Sequence, residues 1–127
     1  MSGVLFKPGC DTRILGKAGV RILGVLDQLA RTFGHDIMIT CANDGHTAPD
    51  PHVTGEAFDI RTHDWTDDHK HAVFHELILA LADDPVHDAP RLASIGLATT
   101  SFYAQVENPG KDTEHIHVQR RNGTTYA

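Results

Sequence analysis

Two short stretches, far apart in the chain, constrain the fold more than anything else in it. Pro51-His52-Val53-Thr54-Gly55-Glu56-Ala57-Phe58-Asp59-Ile60 offers an imidazole and a carboxylate seven residues apart with a glycine between them. Glu114-His115-Ile116-His117 offers a carboxylate and two imidazoles within four residues. Zinc in a hydrolytic site takes three protein ligands of N or O type and keeps a fourth position open. A neighbouring carboxylate must then accept a proton from water. The two stretches supply all of these parts. A fold that uses them must bring positions about fifty-five residues apart onto one surface.

The bounds on such a fold are ordinary. A chain of 127 residues suits one domain, expected over 1–127, with a real core. Its 40% hydrophobic and 22% charged residues describe a soluble globular protein. A net charge of −6 argues against nucleic acid as the partner, because phosphate binding wants a basic face. No window approaches the length of apolar residues that a membrane span needs, so no membrane is expected either. Residues 1–9 lack the apolar centre of a signal peptide, which places synthesis in the cytoplasm. Cys10 and Cys41 show no paired spacing and read as buried free thiols. A monomer is expected.

Histidine is the unusual count, ten in the chain. One metal takes two or three, so most must be solvated or satisfied in the core. The run Val4 to Phe6 reads as a short edge segment before a turn at Pro8-Gly9. A helix is expected to start at Asp11 or Thr12 as N-cap and to end at Gly34, burying Leu15, Ala18, Ile22, Val25, Leu26, Leu29 and Phe33. Ile37 to Thr40 has strand character. Asn43 to Pro51 is a loop by composition and leads into His52. In a strand over Ala57 to Arg61, alternation puts Phe58 and Ile60 on the core face and Asp59 on the other, with Ala57 leaving room beside it. Gly55 suits a tight turn bringing His52 back over the start of that strand.

Thr66 caps a second helix whose first-turn acids, Asp67 and Asp68, favour its N-terminus. Val73, Phe74, Leu77, Ile78 and Leu81 form its buried stripe, and Asp83-Asp84-Pro85 stops it. His71 and His75 on this helix are four apart. No Glu follows His71 as in an HExxH arrangement, so they read as a solvated face. Arg91 to Ala98 and Ser101 to Val106 are strand-like, and His115 to Gln119 is the final strand. There Ile116 and Val118 face the core, while His115, His117 and Gln119 face the side where a metal could sit. The expected class is α+β, a mainly antiparallel sheet with two principal helices and the zinc site on the sheet face.

His52, Gly55, Ala57 and Asp59, in the pattern His-x-x-Gly-x-Ala-x-Asp, resemble the first signature of the zinc D-alanyl-D-alanine peptidase and hedgehog-type superfamily. Glu114-His115-Ile116-His117 is similar to its second signature. That superfamily includes bacterial D,D-carboxypeptidases and dipeptidases, phage endolysins and the hedgehog signalling domain. The resemblance covers roughly residues 36 to 120 and implies a fold of that type. It implies Zn2+ held by His52, Asp59 and His117, with Glu114 as general base and His115 as a helper to the developing charge. Strand alternation by itself leaves His115 and His117 equal as third ligand. It also sets Glu114 on the face opposite His117 unless the chain bulges there, which keeps Glu107 in reserve as base.

The substrate the resemblance implies is a peptidoglycan stem peptide, cut by an endopeptidase or a D,D-carboxypeptidase. The arginine with which such carboxypeptidases grip a terminal carboxylate has no counterpart in Thr40 to His46, and Asp50 replaces a serine two residues before His52. Arg61 or Arg13 would have to supply the charge. This tilts the expectation towards an endopeptidase of phage type, reaching the cell wall after release or within a virion, with His46 and Arg61 as substrate contacts. The alternative is a catalytically inactive zinc-binding module of the same fold that holds a peptide or protein partner.

Overall fold

The computed structural model describes residues 2–41, 54–93 and 96–124. The order of elements is β1 (Val4–Phe6), α1 (Lys17–Phe33), β2 (Ile37–Cys41), β3 (Ala57–Arg61), α2 (Asp67–Ala80), β4 (Arg91–Leu92), β5 (Leu97–Ala98), β6 (Phe102–Glu107) and β7 (His115–Arg120). One seven-stranded sheet runs β1-β2-β3-β7-β6-β5-β4. The fold is α+β, and the sheet, expected to be mainly antiparallel, is mixed. β1 lies parallel to β2, whereas the other neighbouring pairs run antiparallel. The reason is the connection: α1 carries the chain back between β1 and β2, and a helical crossover returns the second strand in the direction of the first.

The apolar stripes of both helices and one face of the sheet form a single core. Ile22, Leu26 and Leu29 of α1 and Val73, Leu77 and Ile78 of α2 pack with Ile39, Phe58, Ile60, Phe102, Ile116 and Val118. Strand alternation holds as expected: Phe58 and Ile60 are buried, and Asp59 lies on the opposite face. α2 starts where the sequence places it, with the Thr66 side chain accepting from the His69 N–H. His71 and His75 are exposed on it and belong to no metal-capable group among the described residues.

α1 differs from expectation. Its N-cap is Gly16, without a side-chain cap, and Leu15 lies before the helix, half exposed. Asp11 is instead engaged by Arg13, which donates to both its carboxylate oxygens and closes a local turn. The later start has a steric cause. Gly16 N–H donates to the Gly55 carbonyl at 3.2 Å, and a Cβ on Gly19 would sit 1.9 Å from that same oxygen. Gly55, at φ 70°, closes the turn before β3 and rests directly on the first turn of α1. Gly34, at φ 63°, ends the helix as expected. Cys10 and Cys41 are half-buried, and neither is in a disulfide. Among the described residues, no helix is long and apolar enough to cross a membrane.

Candidate metal centre

With both helices on one side, the other face of the sheet carries the polar side chains in rows set by the register. Arg61, His115 and Glu107 form one row across β3, β7 and β6. Asp59, His117 and Gln105 form the next, and Ala57, Gln119 and Tyr103 the third. Successive rows stand about 7 Å apart, two residues along a strand. The pairing of β3 with β7 is thus what unites the two distant stretches of sequence.

Asp59, Glu107 and His117 each present a ligand atom within 4.8 Å of the others, close enough to hold a metal ion. His117 Nδ1 lies 2.9 Å from Asp59 Oδ1 and 3.8 Å from Glu107 Oε1. Those distances bracket the ~3.4 Å between ligand atoms that zinc bonds of about 2.0–2.2 Å impose in a tetrahedron. The donor set, one imidazole nitrogen and two carboxylate oxygens, is of the type zinc accepts at an open site. His117 Nε2 meets Gln119 Oε1 at 2.6 Å, so both ring nitrogens face oxygen acceptors. Burial works to lower the pKa of His117. The hydrogen bonds to Asp59 and Gln119, with the charges of Asp59 and Glu107, outweigh it and hold the ring above its ordinary value. A divalent cation would satisfy the same carboxylates in place of that proton.

His115 stands beside the cluster. Its Nδ1 donates to the Thr113 carbonyl at 2.9 Å, which fixes the ring, and its Nε2 shares a proton with Glu107 Oε1 at 2.9 Å. The same Nε2 is 3.9 Å from Asp59 Oδ1. Of the two imidazoles that strand alternation could not separate, His117 belongs to the metal-capable group and His115 flanks it.

Glu114, the residue the resemblance makes the base, lies outside that group. No bulge turns it outward. The alternation of β7 continues back through it, so it shares the inner face with Ile116 and Val118. It is 4% exposed. Thr62 Oγ1 donates to it at 2.8 Å, Gly110 N–H at 2.9 Å and Lys70 Nζ at 3.0 and 3.2 Å. The Gly110 hydrogen bond comes first in holding its pKa low, and Lys70 and Thr62 add to this against the effect of burial. Lys70 is raised in turn, chiefly by its hydrogen bond to Glu114. Glu107, the reserve, is the carboxylate that faces the cluster.

His52 and His46 lie outside the described residues. Arg61 is on the outer face, one row from Asp59, and pairs with Asp64 at 3.4 Å. Arg13 is tied to Asp11. Lys70 and Thr62 went unnoticed in the sequence, although a signal existed for one of them. Lys70 precedes Val73 by three and Leu77 by seven, so it falls on the apolar stripe of α2, where a lysine requires an anion.

Comparison of the chain with protein-family models, with curated proteins and with solved structures finds no match.

Proposed function

We propose that this chain is a zinc peptidase that hydrolyses peptidoglycan stem peptides, with a fold of the D-alanyl-D-alanine peptidase and hedgehog type. One observation carries the reading: Asp59 and His117, drawn from two separate sequence signatures, stand 2.9 Å apart on the outer sheet face with Glu107 beside them. Asp59 and His117 would hold the ion, with His52 completing the set that the signatures imply. When bound, zinc supplies a Lewis acid that polarises the amide carbonyl and lowers the pKa of water. Glu107 takes the part that the motif resemblance gives to Glu114. Its Oε1 receives a proton from the attacking water and passes it to the leaving amine. His115, held by the Thr113 carbonyl through Nδ1, orients Glu107 through Nε2.

The test is mass spectrometry of purified muropeptides incubated with protein of measured zinc content, before and after chelation. Cleavage that disappears with the metal and returns on adding zinc is the expected result. An intact substrate with one zinc per chain would refute it. A second reading, a zinc-binding module without turnover, draws support from the engagement of Glu114 with Lys70 and Thr62. This module would keep its zinc and its ligand yet cleave nothing.

A further inference from the structure

Where the C-terminal end of α1 meets the N-terminal end of α2, four rings form a cluster that the sheet-face site does not use. Phe33 and His35 come from the α1 side, Trp65 and His69 from the α2 side. The His69 ring is central, with centroids 4.4 Å from His35, 4.6 Å from Trp65 and 5.7 Å from Phe33. His35 and Trp65 also meet edge to face at 5.6 Å.

The two imidazoles differ in how they can take a proton. His35 is exposed, and its Nδ1 lies 2.8 Å from the Asp36 carbonyl, which can only accept, so the neutral ring is bare at Nε2. His35 follows Gly34, the C-cap of α1, where the helix dipole favours a cation. His69 stands in the first turn of α2, where the dipole opposes one. Its Nε2 is buried and finds no hydrogen-bond partner among the described residues, so a charge there would be poorly solvated. Burial first, and then His35, hold its pKa below the ordinary value. The other charges at this junction are engaged elsewhere. Asp36 accepts from the Gly3 N–H, Asp64 pairs with Arg61, Arg31 with Asp27, and Lys70 with Glu114 and Asp67. Asp68 and His71 are exposed to solvent, and His63 borders a cleft on the outer sheet face.

We infer that His35 and His69 form a proton-operated latch between the end of α1 and the first turn of α2, closed while both rings are neutral and released when both become imidazolium. The first proton goes to His35. The second must enter a ring in contact with that charge, and it is better held once the first turn of α2 has swung into water. A base whose pKa is depressed in the closed form favours that form above its ordinary value, near 6.5, and loses the advantage as pH falls. Release is local. At the far end of the helix pair Arg21 Nη2 donates to the Ala80 carbonyl at 2.7 Å, and Val73, Leu77 and Ile78 stay in the core. The first turn also carries Lys70, which holds the Glu114 carboxylate that accepts the Gly110 N–H. Release therefore loosens the tip of the β6–β7 hairpin as well.

The test is amide hydrogen exchange by NMR, expressed as protection factors, beside the emission of Trp65, the one tryptophan of the chain. Wild type, His35→Gln and His69→Phe are followed from about pH 7 to pH 5. Protection of the His69, Lys70 and Gly110 amides in the wild type is expected to fall at least about tenfold, the equivalent of one pKa unit, while Trp65 emission changes over the same range. His69→Phe should abolish this loss. His35→Gln, at an exposed position that leaves the fold intact, should reduce it. Quenching of Trp65 without loss of protection would show protonation in place and overturn the latch. Loss of protection spread evenly over both helices would make the event global unfolding and overturn it too. So would release of wild-type size in His35→Gln.

Discussion

Glu107 and Glu114 bound the same hairpin, one at the end of β6 and one just before β7, and their surroundings make different groups of them. Glu107 faces outward, partly exposed, against His115 and near Asp59 and His117. Glu114 faces inward, almost fully buried, and is held by Lys70, Thr62 and the Gly110 N–H. One belongs to the metal-capable group; the other has its lone pairs taken and a cation fixed against it. Residue type does not distinguish them, and motif position favours Glu114. The side of the strand separates them.

The largest expected effect breaks the buried half of this comparison. Lys70→Met removes the cation and leaves Glu114 charged in the core, which should cost about 3–5 kcal/mol of unfolding free energy in denaturant titration. Glu107→Gln on the outer face should change stability by no more than about 0.5 kcal/mol. If the two variants lose equal stability, the distinction between the carboxylates is wrong.

Next in size is the metal. With free zinc at about a hundred times its dissociation constant, chelation should remove about 2.7 kcal/mol of stability from the wild type. It should remove none from His117→Ala, whose zinc content should already be low by elemental analysis. Zinc retained at one per chain in His117→Ala would place the site elsewhere.

Acid titration sharpens the comparison further. The pKa of Glu114 is lowered in the fold, so its contribution to stability is full above the unfolded value near 4.3. That contribution is lost as pH falls through the lower folded value. Glu114→Gln should flatten the stability profile over that window and lower the plateau at neutral pH.

The smallest expected effect lies at a third histidine group. His69 Nε2 is buried, finds no hydrogen-bond partner among the described residues, and its ring packs against Trp65 and His35 with ring centroids 4.6 and 4.4 Å away. Burial first, and then the neighbouring His35, lower its pKa. A base depressed in the fold favours the folded state above its unfolded pKa, near 6.5, and loses that advantage as pH falls. His69→Phe should therefore weaken the fall in melting temperature between pH 7 and pH 5, and an unchanged slope would count against this role.

Much of this was legible because it depends on short-range rules. Periodicity located both helices, Thr66 announced its cap, and alternation in 57–61 and 115–119 set Asp59 and His117 on one face before any pairing was known. The rest depends on long-range pairing. Alternation already objected to an outward Glu114, but nothing local showed that Lys70, forty-four positions away, would hold it inside. Glu107 became a site residue through its register opposite His115, which no local pattern encodes. The late start of α1 follows from the carbonyl of Gly55 meeting Gly16 and Gly19, a contact invisible to helix-cap preferences.

The most direct measurement is muropeptide cleavage by zinc-loaded wild type, Glu107→Gln and Glu114→Gln, each corrected for its folded fraction. The account predicts that wild type cuts, that Glu107→Gln binds zinc and does not cut, and that Glu114→Gln is less stable yet cuts in proportion to the protein that remains folded. A folded, zinc-bound Glu114→Gln without turnover, beside an active Glu107→Gln, would contradict it.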